Sequence, residues 1–214
     1  NISESINLYR DIEILSYSGG KIHIPYVTTS KGVELIREAK KNNLDITAST
    51  SLAHTTFSEK DIPDFDTNYK LIPPLRSESD LNSLKQGLID GTIDYLTSMH
   101  EPFDVDNKKV VFDNASSGSI GLESMFGLMN NQFTLEKTID ILTRKKITFE
   151  VDDHPIEIGS LADLSLFNPD KNYKFSEDHI LSTSKNCAFK DSKHKGVVYG
   201  TINGKNFTLN KLWT

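Results

Sequence analysis

The chain has 214 residues, enough for one large domain or two small ones with a substantial core. Its 24 basic and 30 acidic side chains leave a net charge of -6, and the basic residues are scattered, which argues against a nucleic-acid surface. No apolar run approaches the roughly 20 residues of a membrane-spanning helix, so the expectation is a soluble, cytoplasmic protein that engages neither nucleic acid nor membrane.

The opening stretch, "ISESINLYRDIEILSYSGG", reads as a helix with Ile2, Ile6, Tyr9 and Ile12 at helical spacing and Gly19-Gly20 as its stop. A chain that starts at Asn1, this close to a helix, is expected to have been cut from something longer. "KIHIPYV" then predicts a strand, and a helix follows from about Val33 to Asn42 with Val33, Leu35, Ile36 and Ala39 on its apolar face. "LDITAST" predicts the next strand. After a long polar connection, Ser77 with Asp80 three residues on caps a helix to about Asp90, and Gly91 ends it. "TIDYLTSM" predicts a third strand, and helices are expected near Ile120–Met129 and Leu135–Leu142.

Strands alternating with helices at this spacing indicate βαβ units and a parallel sheet or barrel. From about Ile147 the pattern changes to short β-like pieces, with Asn203-Gly204 as a hairpin turn. The expected domains are therefore 1–146, an α/β unit, and 147–214, a small β unit. Three strand-helix units are too few to close an eight-stranded barrel. Half a barrel would expose apolar edges, so the chain alone is not expected to be a stable monomer; it should pair with an N-terminal half or with another copy of itself.

Candidate chemistry is sparse. The six histidines (His23, His54, His100, His154, His179 and His194) never fall at the close spacings that mark a zinc site. His23 lies inside a predicted strand, while His54 and His100 follow strands, where barrel enzymes collect catalytic groups; a structural role is the plainer reading of each. Asp94 reads equally as a packing residue. "SSGSIGLE" (116–123) places glycines before a predicted helix, where backbone N–H groups receive anions, but it lacks the spacing of a phosphate loop. The lone Cys187 is read as structural and excludes an internal disulfide.

Five segments, in order, resemble the C-terminal half of the dihydroorotases, the cyclic-amide hydrolases of pyrimidine biosynthesis in the amidohydrolase superfamily. They are "TTSKGVELIREAKKNNLDITAS" (28–49), "DFDTNYKLIPPLRSESDLNSLKQGLIDGTIDYL" (64–96), "GSIGLE" (118–123), "GSLADLSLFNPD" (159–170) and "STSKNCAF" (182–189). The resemblance implies the second half of a (β/α)8 TIM-type barrel followed by a small β-rich domain, with zinc in active members. It also implies that the His-x-His pair and other metal ligands lie upstream.

Three motifs of that family can be compared, and each departs. A strand ending His-Val-Ser-Thr, with a ligand histidine, reads Tyr26-Val27-Thr28-Thr29 here. Asn-Pro-Pro-Leu-Arg, whose asparagine holds substrate, reads Ile72-Pro73-Pro74-Leu75-Arg76. Thr-Asp-His-Ala-Pro-His aligns on Ser98-Met99-His100-Glu101-Pro102-Phe103, so Met99 stands where the catalytic aspartate belongs. No catalytic or metal-ligating position is intact by this reading, and no cofactor is expected on this chain. Ile72, His100 and Gly118 mark the substrate region. The expected function is a dihydroorotase-like protein, impaired or inactive, with a structural or partner-binding role; the alternative is an active hydrolase whose other ligands lie upstream. Inactive relatives that partner aspartate transcarbamoylase suggest such a partner.

Overall fold

The computed structural model describes residues 1–144, 149, 151 and 156–212. His154 and the expected boundary at 146/147 lie outside the described residues. Two compact units emerge: Asn1–Leu122 with Ser182–Ala188, and Glu123–Leu181 with Phe189–Thr214.

The first unit opens with helix α1 (Ile2–Ser18), stopped by Gly19 at φ 67. Its packed face is not the expected Ile2, Ile6 and Tyr9 stripe, since these three are exposed and Leu8 and Leu15 are buried. The physical reason is Glu4. Its carboxylate accepts the backbone N–H groups of Thr28 and Thr29, both at 3.0 Å, and the Thr28 and Thr29 hydroxyls, and it lies 3.6 Å from Arg76. Residues four and eleven positions on share a helix face with Glu4, so these bonds turn Leu8 and Leu15 inward.

Strand β1 (Ile22–Ile24) leads through Thr29, whose hydroxyl accepts the Gly32 N–H, into helix α2 (Ser30–Lys41). Val33, Ile36 and Ala39 are buried along α2, as an amphipathic helix against a sheet requires. Strand β2 (Ile46–Ser51) is buried at all but one position and runs directly into the short helix α3 (Leu52–Thr56). Helix α4 (Glu78–Asp90) starts where the Ser77 hydroxyl accepts the Asp80 N–H and stops at Gly91, which is left-handed at φ 82. Strand β3 (Tyr95–Thr97) completes a parallel sheet of order β1-β2-β3, with Ile22 opposite Ile46 and Ser49 opposite Tyr95. Asp94 braces the sheet to α2: it accepts the Ala48 N–H at 2.7 Å and pairs with Lys40 at 2.8 Å. Helix α5 (Val105–Lys108) lies in the loop after β3.

In the second unit, helices α6 (Met125–Gln132) and α7 (Leu135–Thr143) precede strands β4 (Asp163–Lys174), β5 (Lys193–Asn203) and β6 (Asn206–Leu209). The strands form an antiparallel sheet of order β4-β5-β6, and Gly204, at φ 57, makes the expected hairpin turn between β5 and β6. Helix α6 packs on β5, where Asn130 Nδ2 donates to the carbonyls of Pro169 and Lys195. A buried aromatic group fills this unit: His194, fully buried, lies 4.7 Å from Phe175 and 5.2 Å from Tyr173, centroid to centroid. Contacts thus group α6 and α7 with the β4-β5-β6 sheet, and Ser182–Ala188 with the first unit.

Candidate functional site

In a parallel α/β fold the chemistry gathers at the C-terminal ends of the strands, and all three strand ends lie in the first unit. The end of β1 bends at Tyr26, which has φ 53, and the end of β3 bends at Met99, which has φ 47. A left-handed backbone costs a side chain of this size about 1 kcal/mol or more, whereas asparagine, aspartate and glycine adopt it readily. Met99 is nonetheless only 5% exposed, so a bulky thioether is held at the tip of β3 on a backbone suited to a shorter polar residue.

Tyr26 and Ile72 come together. They line one cavity of about 350 Å³ with Glu4, Asn7, Pro73 and Arg76, and Ile72 is 70% exposed. An aliphatic chain there offers no hydrogen bond to a ligand. Met99, His100 and Gly118 do not line this cavity.

His100 is occupied by the fold. Its Nδ1 accepts the backbone N–H groups of Gly121 at 3.3 Å and Leu122 at 3.2 Å, and Nε2 lies 3.3 Å from the Ser182 hydroxyl. An imidazole that accepts at Nδ1 carries its proton on Nε2 and has no lone pair directed at a metal. Gly118 is equally committed: its N–H donates to the Lys70 carbonyl at 2.8 Å, while those of Gly121 and Leu122 go to His100. A Cβ at Gly118 would meet the Phe103 ring at 2.6 Å and Glu101 Oε2 at 2.7 Å, and φ is +150, so glycine is required by both space and backbone.

His54, at the end of β2, is 2% exposed. Its Nε2 donates to the Pro73 carbonyl at 3.0 Å, and Nδ1 pairs with the Ser51 hydroxyl at 2.7 Å. Burial pushes its pKa down to about 4, only partly opposed by the Pro73 bond, so the ring is neutral and pins the Ile72-Pro73-Pro74 segment. His23 is likewise bound within the sheet, with Nδ1 2.8 Å from Thr47 Oγ1 and Nε2 3.0 Å from the Tyr95 hydroxyl; burial lowers its pKa.

Sequence reasoning missed Asn186. Its Oδ1 accepts the Phe103 N–H at 3.1 Å, and its Nδ2 donates to the carbonyls of Glu101 and Gly118. These partners are 68 to 85 positions away, and no local signal announces them. Among the described residues, no three His, Cys, Asp or Glu side chains converge as metal ligands would. The residues present do not fit a zinc ion on their own: Met99 offers a soft neutral sulfur and Tyr26 a phenol, and the His100 ring is spent on backbone donors.

No family model matches the sequence. Curated relatives do. The dihydroorotase of Caldanaerobacter subterraneus subsp. tengcongensis is 36% identical over 209 residues, covering 94% of this chain and 48% of its own. That of Bacillus subtilis is 32% identical over 209 residues, covering 94% and 49%. The chain is a relative of the dihydroorotases. It spans about half the length of the dihydroorotases it matches. Among solved structures, the L-hydantoinase (dihydropyrimidinase) of Arthrobacter aurescens aligns with a TM-score of 0.86 at 22% identity, over 97% of this chain and 49% of that one. An inactive dihydroorotase-like domain of a Chaetomium thermophilum CAD-like multifunctional protein aligns with a TM-score of 0.66 at 18% identity, over 94% and 54%. At these identities the structures speak to the fold alone: the C-terminal half of a TIM-type barrel followed by a β-rich unit, about half of each matched chain.

Proposed function

We propose that this chain is part of a dihydroorotase-like protein of pyrimidine metabolism that no longer catalyses hydrolysis and keeps the fold for assembly. The first unit contributes its β1-β2-β3 sheet to the barrel and the second unit is the small β-rich domain, with the barrel completed by a preceding half of the same protein. Hydrolysis of a cyclic amide needs a metal to activate water and a carboxylate that moves a proton to the leaving nitrogen. Met99 occupies the position of that carboxylate and can neither carry a proton nor ligate as an anion. The observation that carries the reading is the Met99 backbone, left-handed at φ 47 beneath a buried thioether, a conformation suited to an aspartate and without benefit to a methionine. Tyr26 at φ 53 and the bonded ring of His100 support it. The likeness to an inactive dihydroorotase-like domain supports the persistence of such a fold without turnover. A structural role would place the protein against a partner of the aspartate transcarbamoylase kind or against a second copy.

The test is made on the intact protein, by metal analysis together with dihydroorotate hydrolysis. We expect no turnover above background and no stoichiometric zinc. Stoichiometric zinc with turnover would overturn the proposal and favour a hydrolase whose ligands come from the preceding half.

A further inference from the structure

A second cavity of about 350 Å³ opens in the first unit and shares no residue with the Tyr26 and Ile72 cavity. Its wall is cationic in a chain of net charge -6: Lys108, Lys109 and Lys185 face it, with Asp66 as the counter-charge. Phe103 and Val105 supply an apolar surface. We infer that this cavity binds a small organic oxyanion, a carboxylate or phosphate carried on an apolar body.

Three observations make the cavity a built site and not a chance cluster of surface lysines. Lys108 is only 7% exposed, yet its ammonium is held in place, donating to the carbonyls of Ser116 at 2.8 Å and Gly118 at 2.9 Å. A buried lysine is uncommon and costly unless its charge is used. The walls are also fixed before any ligand arrives. Asn186 holds the Phe103 N–H and the Glu101 carbonyl, and the Thr67 hydroxyl donates to the Lys108 carbonyl at 2.7 Å, tying opposite sides together. Finally, polar and apolar parts line one space: Lys108, Lys109 and Lys185, the last donating to the Ser182 carbonyl at 3.0 Å, for the charged end of a ligand, and the Phe103 and Val105 side chains for its body.

The Lys108 ammonium is poorly solvated, and burial brings its pKa down to about 8. The charged groups acting on it are Asp66, Glu101 and Lys70. An anion beside it favours the protonated form, so binding should weaken as pH rises through about 8.

Calorimetry on the intact protein at low salt, with phenyl phosphate, benzoate and inorganic phosphate as probes, tests the inference. One saturable site is expected for phenyl phosphate or benzoate, tighter than for inorganic phosphate because only the former use the apolar surface. The type of headgroup preferred is read from the first two probes. The exposed pair Lys109→Gln and Lys185→Gln should together weaken binding about tenfold with the melting temperature unchanged. Lys108→Met should abolish binding and the pH dependence. Since that variant risks the loop, the exposed pair decides. No saturation by about 10 mM of any probe, a double variant that binds as the parent does, or inorganic phosphate bound as tightly as phenyl phosphate would each overturn the site.

Discussion

The end of β2 and the ends of β1 and β3 solve the same problem in opposite ways. At β2 the chain passes on an extended backbone into α3, and Ser51 and His54 close a bonded loop that pins Pro73. The Ser51 and His54 side chains there serve the fold. At β1 and β3 the backbone turns left-handed under Tyr26 and Met99, side chains that gain nothing from it. The β2 end, closed by Ser51 and His54, holds no left-handed residue, whereas the β1 and β3 ends are left-handed at Tyr26 and Met99. Backbone geometry that outlasts the side chains it suited is what a lost active site would leave.

The largest effects should come from breaking the β2 end. His54→Leu removes the imidazole partner of the half-buried Pro73 carbonyl and leaves the buried Ser51 hydroxyl only the backbone N–H of residue 54, and should cost the intact protein about 2 kcal/mol, read from urea midpoints. Acid should do the same reversibly. His54 in the first unit and His194 in the second both have pKa values lowered to about 4, chiefly by burial, against an ordinary 6.5. The unfolded chain therefore takes up these protons first as pH falls, so the stability they confer is complete above pH 6.5 and is lost as pH falls toward about 4. Each contributes on the order of 3 kcal/mol at most. Melting temperatures should drop across that window, and His54→Gln should flatten the drop; an unchanged slope would mean the ring is not buried neutral.

A middle-sized effect should separate anchoring from strain. Glu4 ties α1 to Thr28 and Thr29, immediately after the bent Tyr26, and to Arg76 of the Ile72 segment. Glu4→Gln removes the charge and one acceptor and should cost about 2 kcal/mol. Hydrogen exchange should then accelerate in α1 and the Thr28-Thr29 turn and leave β2 unaffected. If β2 loosens equally, the strand ends are not independent.

Much of this was legible in the sequence, and the remainder was hidden for identifiable reasons. Alternating strands and helices, the Ser77 cap, the Gly91 stop and the Asn203-Gly204 turn all depend on neighbours within a few positions, and the structure has them. The face of α1 was misread because apolar spacing ignored Glu4, whose partners lie 24 and 25 positions away. The five-residue helix α3 is too short for periodicity to register. At the candidate site, Met99 and Tyr26 stand out in the sequence as departures from the motifs it resembles, but their backbone angles do not. Nor does the commitment of His100 to Gly121 and Leu122, which turns an inviting ligand into a structural prop.

The smallest effect goes directly to the strained end. Met99 is buried, so most replacements lose apolar contact, and a single variant would confuse that loss with relief of strain. Asparagine and glutamine share one amide and differ by a methylene. Glutamine is closer to methionine in length and should retain more packing, whereas asparagine is far better suited to φ 47. If the backbone is the feature that the present side chain does not suit, Met99→Asn should be more stable than Met99→Gln by about 0.5 to 1 kcal/mol, despite filling less space. The same pair at the unstrained β2 end, Leu52→Asn and Leu52→Gln, should lack this preference for asparagine, because Leu52 is helical. If Met99→Gln is the more stable of its pair, packing outweighs conformation at the tip of β3, and the left-handed turn cannot be read as the imprint of an aspartate.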